Sequence, residues 1–85
     1  MYKLILADGT ILYVGMVGTY DDGPLYIDVT GKTFAEYAMI FSDTTKTAHM
    51  VYDTTLEQME YNGYTALTAM KLENGYIKVT MRKAA

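Results

Sequence analysis

The chain predicts an α+β domain, mainly antiparallel β, with about six to seven strands curled into a sandwich or small barrel. One short α-helix is expected near residues 33–42. Three observations carry this. Asp8-Gly9, Asn62-Gly63 and Asn74-Gly75 each lie between strand-like runs, and such dipeptides suit tight hairpin turns because they tolerate positive φ. A single segment, opening at Thr33, combines a helix cap with an apolar stripe. Nine Tyr and twelve Thr among 85 residues favour half-buried strands over helices.

The first hairpin joins residues 2–7 to residues 10–17. A two-residue turn at Asp8-Gly9 sets Leu6 opposite Ile11 and Leu4 opposite Tyr13, with Ile5 opposite Leu12 and Lys3 opposite Val14 on the other face. Both faces are then largely apolar. A half-buried hairpin alternates apolar with polar residues, so this one is either sandwiched or used at an interface.

Residues 19–24 (TYDDGP) are rich in turn formers. Residues 25–30 alternate, with Leu25, Ile27 and Val29 sharing one face. Thr33 and Glu36 stand at capping-box spacing, and Phe34, Tyr37, Ala38 and Phe41 make one helical stripe. Ser42-Asp43-Thr44 closes the helix. Residues 46–52 form the next strand, with Ala48, Met50 and Tyr52 on one face and Thr47, His49 and Val51 on the other. Residues 56–61 are ambiguous, since Thr54 and Glu57 have the spacing of a second helix cap. The strand is favoured, because the segment runs into Asn62-Gly63 as into a hairpin. In the last hairpin, a two-residue turn at Asn74-Gly75 pairs Leu72 with Ile77, Met70 with Val79 and Thr68 with Met81. The same register opposes Lys71 and Lys78 in solvent, an unfavourable pair that burial of the apolar face enforces.

At 85 residues there is room for one compact domain spanning 1–85. Hydrophobic residues make up 51 % of the chain, more than so small a body can bury alone, which points to a homo-oligomer. The net charge of −3 argues against general nucleic-acid binding. There is no Cys, a single His and a single Arg. No constellation for catalysis, for a cofactor or for a metal emerges, and Asp21-Asp22-Gly23 lacks the spaced oxygens of a calcium loop. The apolar opening stops at Asp8-Gly9, too short for a signal or membrane segment.

Binding residues are sought among cations and tyrosines. Lys71, Lys78 and Arg82, with Lys83 nearby, read either as an anion patch or as a solvated face. Tyr13, Tyr37 and Tyr52 are in apolar phase and belong to the core. Tyr20, Tyr64 and Tyr76 fall at turns or in polar phase, where Tyr can stack on a ligand or partner; ordinary cross-strand pairs such as Tyr61 with Tyr64 are the plainer alternative. His49, alone in mid-strand, reads as structural.

The opening hairpin, the run Ala38-Met39-Ile40-Phe41-Ser42-Asp43-Thr44, Lys46-Thr47, Tyr61-Asn62-Gly63-Tyr64-Thr65 and the closing Ile77-Lys78-Val79-Thr80-Met81-Arg82-Lys83 resemble small proteins encoded by phages and prophages of Firmicutes. The resemblance spans most of the chain and rests on structural motifs. It implies genes placed among tail and lysis functions and brings no catalytic residues with it. The expectation is a non-catalytic phage protein, a tail or baseplate accessory, found in the virion or the host cytoplasm. Its partners would be itself and a phage structural or host protein. The alternative is an anti-defence protein that inhibits a host immune protein or sequesters an anionic nucleotide signal. Neither reading involves a membrane.

Overall fold

A computed structural model of the chain describes residues 2–19 and 23–84. The elements in order are β1 (Tyr2–Ile5), β2 (Ile11–Thr19), β3 (Leu25–Val29), α1 (Phe34–Phe41), α2 (Thr44–Thr47), β4 (His49–Asp53), β5 (Gln58–Asn62), β6 (Ala66–Glu73) and β7 (Tyr76–Arg82). The seven strands form one open antiparallel sheet in the order β5-β4-β1-β2-β3-β7-β6. The fold is α+β and mainly β, as the sequence predicts.

The first hairpin adopts a different register from the expected one. Its loop has three residues. Leu6 N–H donates to the Thr10 carbonyl at 2.8 Å, Gly9 N–H donates to the Leu6 carbonyl at 2.9 Å, and Gly9 takes φ +89°. This is a turn closed by a left-handed glycine rather than the two-residue type. The Asp8 carboxylate accepts from Thr10 N–H at 3.0 Å and reinforces it. Leu4 now faces Leu12 and Ile5 faces Ile11. The one-residue slip is decided by burial: Leu4, Leu6, Leu12 and Val14 all turn inward and are buried. The outer face keeps Ile11 and Tyr13, so Tyr13 is not a core residue as its phase suggested; it is 54 % exposed.

β2 holds the molecule together. Its first half pairs with β1 and its second half with β3, and the register shifts between Val14 and Met16. A bulge of this kind bends a strand, so the sheet folds over itself at Gly15. The far corner lies between β5 and β6, where an Asn62-Gly63 hairpin was expected. Instead these strands are the two opposite edges of the sheet. The three intervening residues span at most about 14 Å, whereas six strand spacings in a flat sheet cover about 29 Å. The edges meet at this point only because the sheet curls. Asn62 does not take the positive φ that a type I′ turn requires; among the described residues Asn74 alone of the non-glycines does. Gly63 N–H donates to the Ala48 carbonyl at 2.9 Å, and the Gly63 carbonyl accepts from Ala84 N–H at 3.0 Å. These bonds tie the corner to the start of β4 and the end of β7.

The final hairpin follows the expected register at its turn. Asn74 and Gly75 both take positive φ, and Leu72–Ile77, Lys71–Lys78 and Met70–Val79 are opposed. Beyond Ala69 a one-residue bulge puts Leu67, not Thr68, opposite Met81; the Thr68 hydroxyl donates to the Thr80 carbonyl at 2.9 Å.

α1 begins with the capping box read from the sequence. Glu36 N–H donates to Thr33 Oγ1 at 3.2 Å, and Thr33 N–H donates to the Glu36 carboxylate at 2.7 Å. Tyr37 and Phe41 are buried and Ile40 packs beside them, whereas Phe34 is 43 % exposed and drops out of the stripe. The Tyr37 hydroxyl donates to the Thr30 carbonyl at 2.5 Å. Burial, then the nearby Glu36 charge, pushes its pKa up. Where the sequence suggested a strand from Lys46, the chain makes α2 first. Asp43 caps it, its carboxylate accepting from Thr45 N–H at 3.0 Å and from the Thr45 hydroxyl at 2.6 Å. The cap and the complete burial of Thr47 override the β preference of three threonines. Of residues 56–61, the last four belong to β5, and Leu56 and Glu57 lie in a turn that Thr54 caps, its hydroxyl accepting from both their N–H groups.

Candidate functional site

Two surfaces collect the side chains that can bind. The first lies on the outer face of β3, β7 and β6, where Asp28, Lys78 and Lys71 stand in one cross-strand row. Glu73 settles the expected lysine repulsion. Its Oε2 is 3.2 Å from Lys71 Nζ and 3.9 Å from Lys78 Nζ. The hydrogen bond from Lys71, then the charges of Lys71 and Lys78, hold the Glu73 carboxyl below its ordinary value. An incoming phosphate would have to compete with this carboxylate. Across the row, Asp28 Oδ1 is buried with no hydrogen-bond partner.

The other sequence candidates do not converge on these lysines. Tyr76 is half-buried and lays its ring over Gly15; a Cβ on residue 15 would sit 2.9 Å from Tyr76 Cε1. Tyr64 is buried, packed edge-on against Tyr61 with ring centroids 6.2 Å apart, and Lys83 Nζ lies 5.4 Å from its ring centroid. Arg82 is exposed at the opposite end of β7, where it lines a shallow hollow of about 220 Å³ with Gly23, Pro24 and Lys83. Tyr20 lies outside the described residues, as do Asp21 and Asp22. Among the described residues no three His, Asp or Glu side chains stand close enough to hold a metal. His49 is engaged across the strand pair, Nδ1 with Asn62 Oδ1 and Nε2 3.9 Å from Glu60. No described helix is long and apolar enough to cross a membrane.

The second surface is the outer face of β2, β1, β4 and β5. Residues opposed across antiparallel strands share a face. Register therefore places Ile11, Ile5, Val51 and Glu60 in one row, and Tyr13, Lys3, Asp53 and Gln58 in the next. Ile11 is 47 % exposed, Tyr13 is exposed, and Ile5 and Val51 are half-buried. Neither Lys3 nor Asp53 makes an ion pair among the described residues. The signal for this surface was present in the sequence as a hairpin apolar on both faces. The slipped register changed which residues lie outside.

The chain matches no family model, no curated protein and no solved structure.

Proposed function

We propose that this is a non-catalytic binding protein that docks through the outer face of β2, β1 and β4. One observation carries the reading: a contiguous apolar row, Ile11–Ile5–Val51, with Tyr13 beside it, on a sheet whose inner face already supplies the core. Exposed apolar surface of this kind, rimmed by Lys3, Asp53 and Glu60, has the make-up of an interaction site. The likeness to small phage-encoded proteins supplies the setting, an accessory component of a tail or baseplate. Mass spectrometry of purified virions tests it. The wild-type protein is expected in the particle at a fixed ratio to tail subunits, and Ile11→Lys is expected to remove it without loss of the folded protein from the lysate. A particle that never contains the wild-type chain overturns the virion setting. A particle that incorporates Ile11→Lys as well as wild type overturns the docking face.

A further inference from the structure

We infer that the occupant of this face is a second copy of the same chain, related by a two-fold axis that runs along the strands midway between β1 and β4. The inference rests on the docking reading and names the partner. Cross-strand register is the argument. Lys3 lies opposite Asp53, and Ile5 lies opposite Val51. An axis between those strands exchanges the two members of each pair. Each Lys3 then lies over the second copy's Asp53, each Asp53 over its Lys3, and Ile5 over Val51 in both directions. The centre of the face is self-complementary in charge and in apolarity, as a two-fold interface must be, and at its flanks the same operation sets Ile11 over the second copy's Glu60 and Tyr13 over its Gln58.

The two charges have no ion pair among the described residues, so both are free to pair across such an interface. The other two-fold arrangement, with its axis across the strands along the apolar row, stacks Glu60 on Glu60 and leaves Lys3 without a carboxylate. At about 4.8 Å between strands and 3.3 Å per residue, the face measures roughly 20 by 15 Å. That is below the ~800 Å² per partner of a standard stable interface, so the dimer is weak and forms at high concentration.

Sedimentation equilibrium from about 10 μM to 1 mM covers the range of such an interface. Wild type is expected to pass from monomer to dimer across this range, and Ile5→Lys, which sets an ammonium group over the second copy's Val51 in both directions, to stay monomeric. Lys3→Asp and Asp53→Lys are each expected to stay monomeric alone, because every facing pair becomes like-charged. Mixed in equal amounts they are expected to form a heterodimer, since all facing pairs are then opposite. Circular dichroism melts of each variant establish that it is folded. Wild type that remains monomeric at 1 mM overturns the inference, as does a dimer indifferent to Ile5→Lys or a folded pair of charge variants that fails to associate on mixing. A monomeric wild type whose Ile11→Lys variant still drops out of the virion overturns the dimer and leaves the docking face standing.

Discussion

The ring of Tyr76 covers the backbone of Gly15 at the bulge where β2 turns from one half of the sheet to the other. A methyl group at residue 15 would meet Tyr76 Cε1 at 2.9 Å, closer than carbon atoms pack. Gly15 is not at positive φ, so the obstacle is the ring and not the backbone. Gly15→Ala is expected to cost about 1 kcal/mol by displacing the ring. Adding Tyr76→Ala should remove most of that increment, giving a coupling of at least ~0.5 kcal/mol in a double-mutant cycle followed by urea unfolding. Strictly additive effects would show that the ring is not what excludes a side chain there.

Asp28 Oδ1 is buried beside the Lys78 row without a hydrogen bond. A polar atom held this way costs stability. Asp28→Thr, which suits a strand and removes the carboxylate, is expected to stabilise the fold by about 1 kcal/mol. The check is a higher urea midpoint at unchanged slope. A lower midpoint would mean that Lys78 depends on this carboxylate more than its contact with Glu73 suggests.

Opposed lysines in isolation would make Lys78→Glu favourable. Glu73 reverses the sign, because its Oε2 already lies between the two ammonium groups. Lys78→Glu places a second carboxylate beside Glu73 and should lower the melting temperature slightly in low salt. The difference should vanish in about 1 M salt, where the screening length is ~3 Å. A salt-independent loss would point to packing of the Lys78 stem as the cause.

Thr33 opens α1 through a reciprocal pair of hydrogen bonds with Glu36. Thr33→Ala removes the side-chain half and is expected to cost about 1 kcal/mol, with Thr33→Asp or Thr33→Ser losing much less. Thermal melts of the three variants test this ranking. Equal losses in all three would assign the effect to something other than the cap.

Four carboxyls, Asp8, Glu36, Asp43 and Glu73, have folded-state pKa values held below their ordinary values of 3.8 and 4.5. The chief causes are hydrogen bonds from Thr10, Thr33, Thr45 and Lys71 respectively. A lowered folded value means that the unfolded chain binds protons first on acidification. Their contribution is therefore complete above the ordinary values and is lost as pH falls through the lowered ones. The melting temperature should be flat across neutral pH and fall below about pH 4.5. Asp43→Asn should make the acid limb shallower, and a limb of unchanged slope would remove Asp43 from the account.

The sequence by itself determined what short-range chemistry dictates. The capping box of Thr33 and Glu36, the turn at Asn74-Gly75 with its opposed lysines, the alternation of Leu25, Ile27 and Val29, and the predominance of strands all depend on neighbours a few residues away. The sequence also marked the first hairpin as apolar on both faces. Tertiary structure decided whatever depended on distant packing. Asp8-Gly9 could close a two- or a three-residue loop, and the demand that Leu4, Leu6, Leu12 and Val14 be buried together chose the latter. Asn62-Gly63 carried a hairpin signal as strong as that of Asn74-Gly75. Burial of both Tyr61 and Tyr64 in one core, and the bonds from Gly63 to Ala48 and Ala84, made it a corner between opposite sheet edges. The candidate surface shares that dependence. Which of Ile11, Tyr13, Leu4 and Leu12 face outward follows from a one-residue register, and register in a two-faced apolar hairpin is settled by the rest of the core.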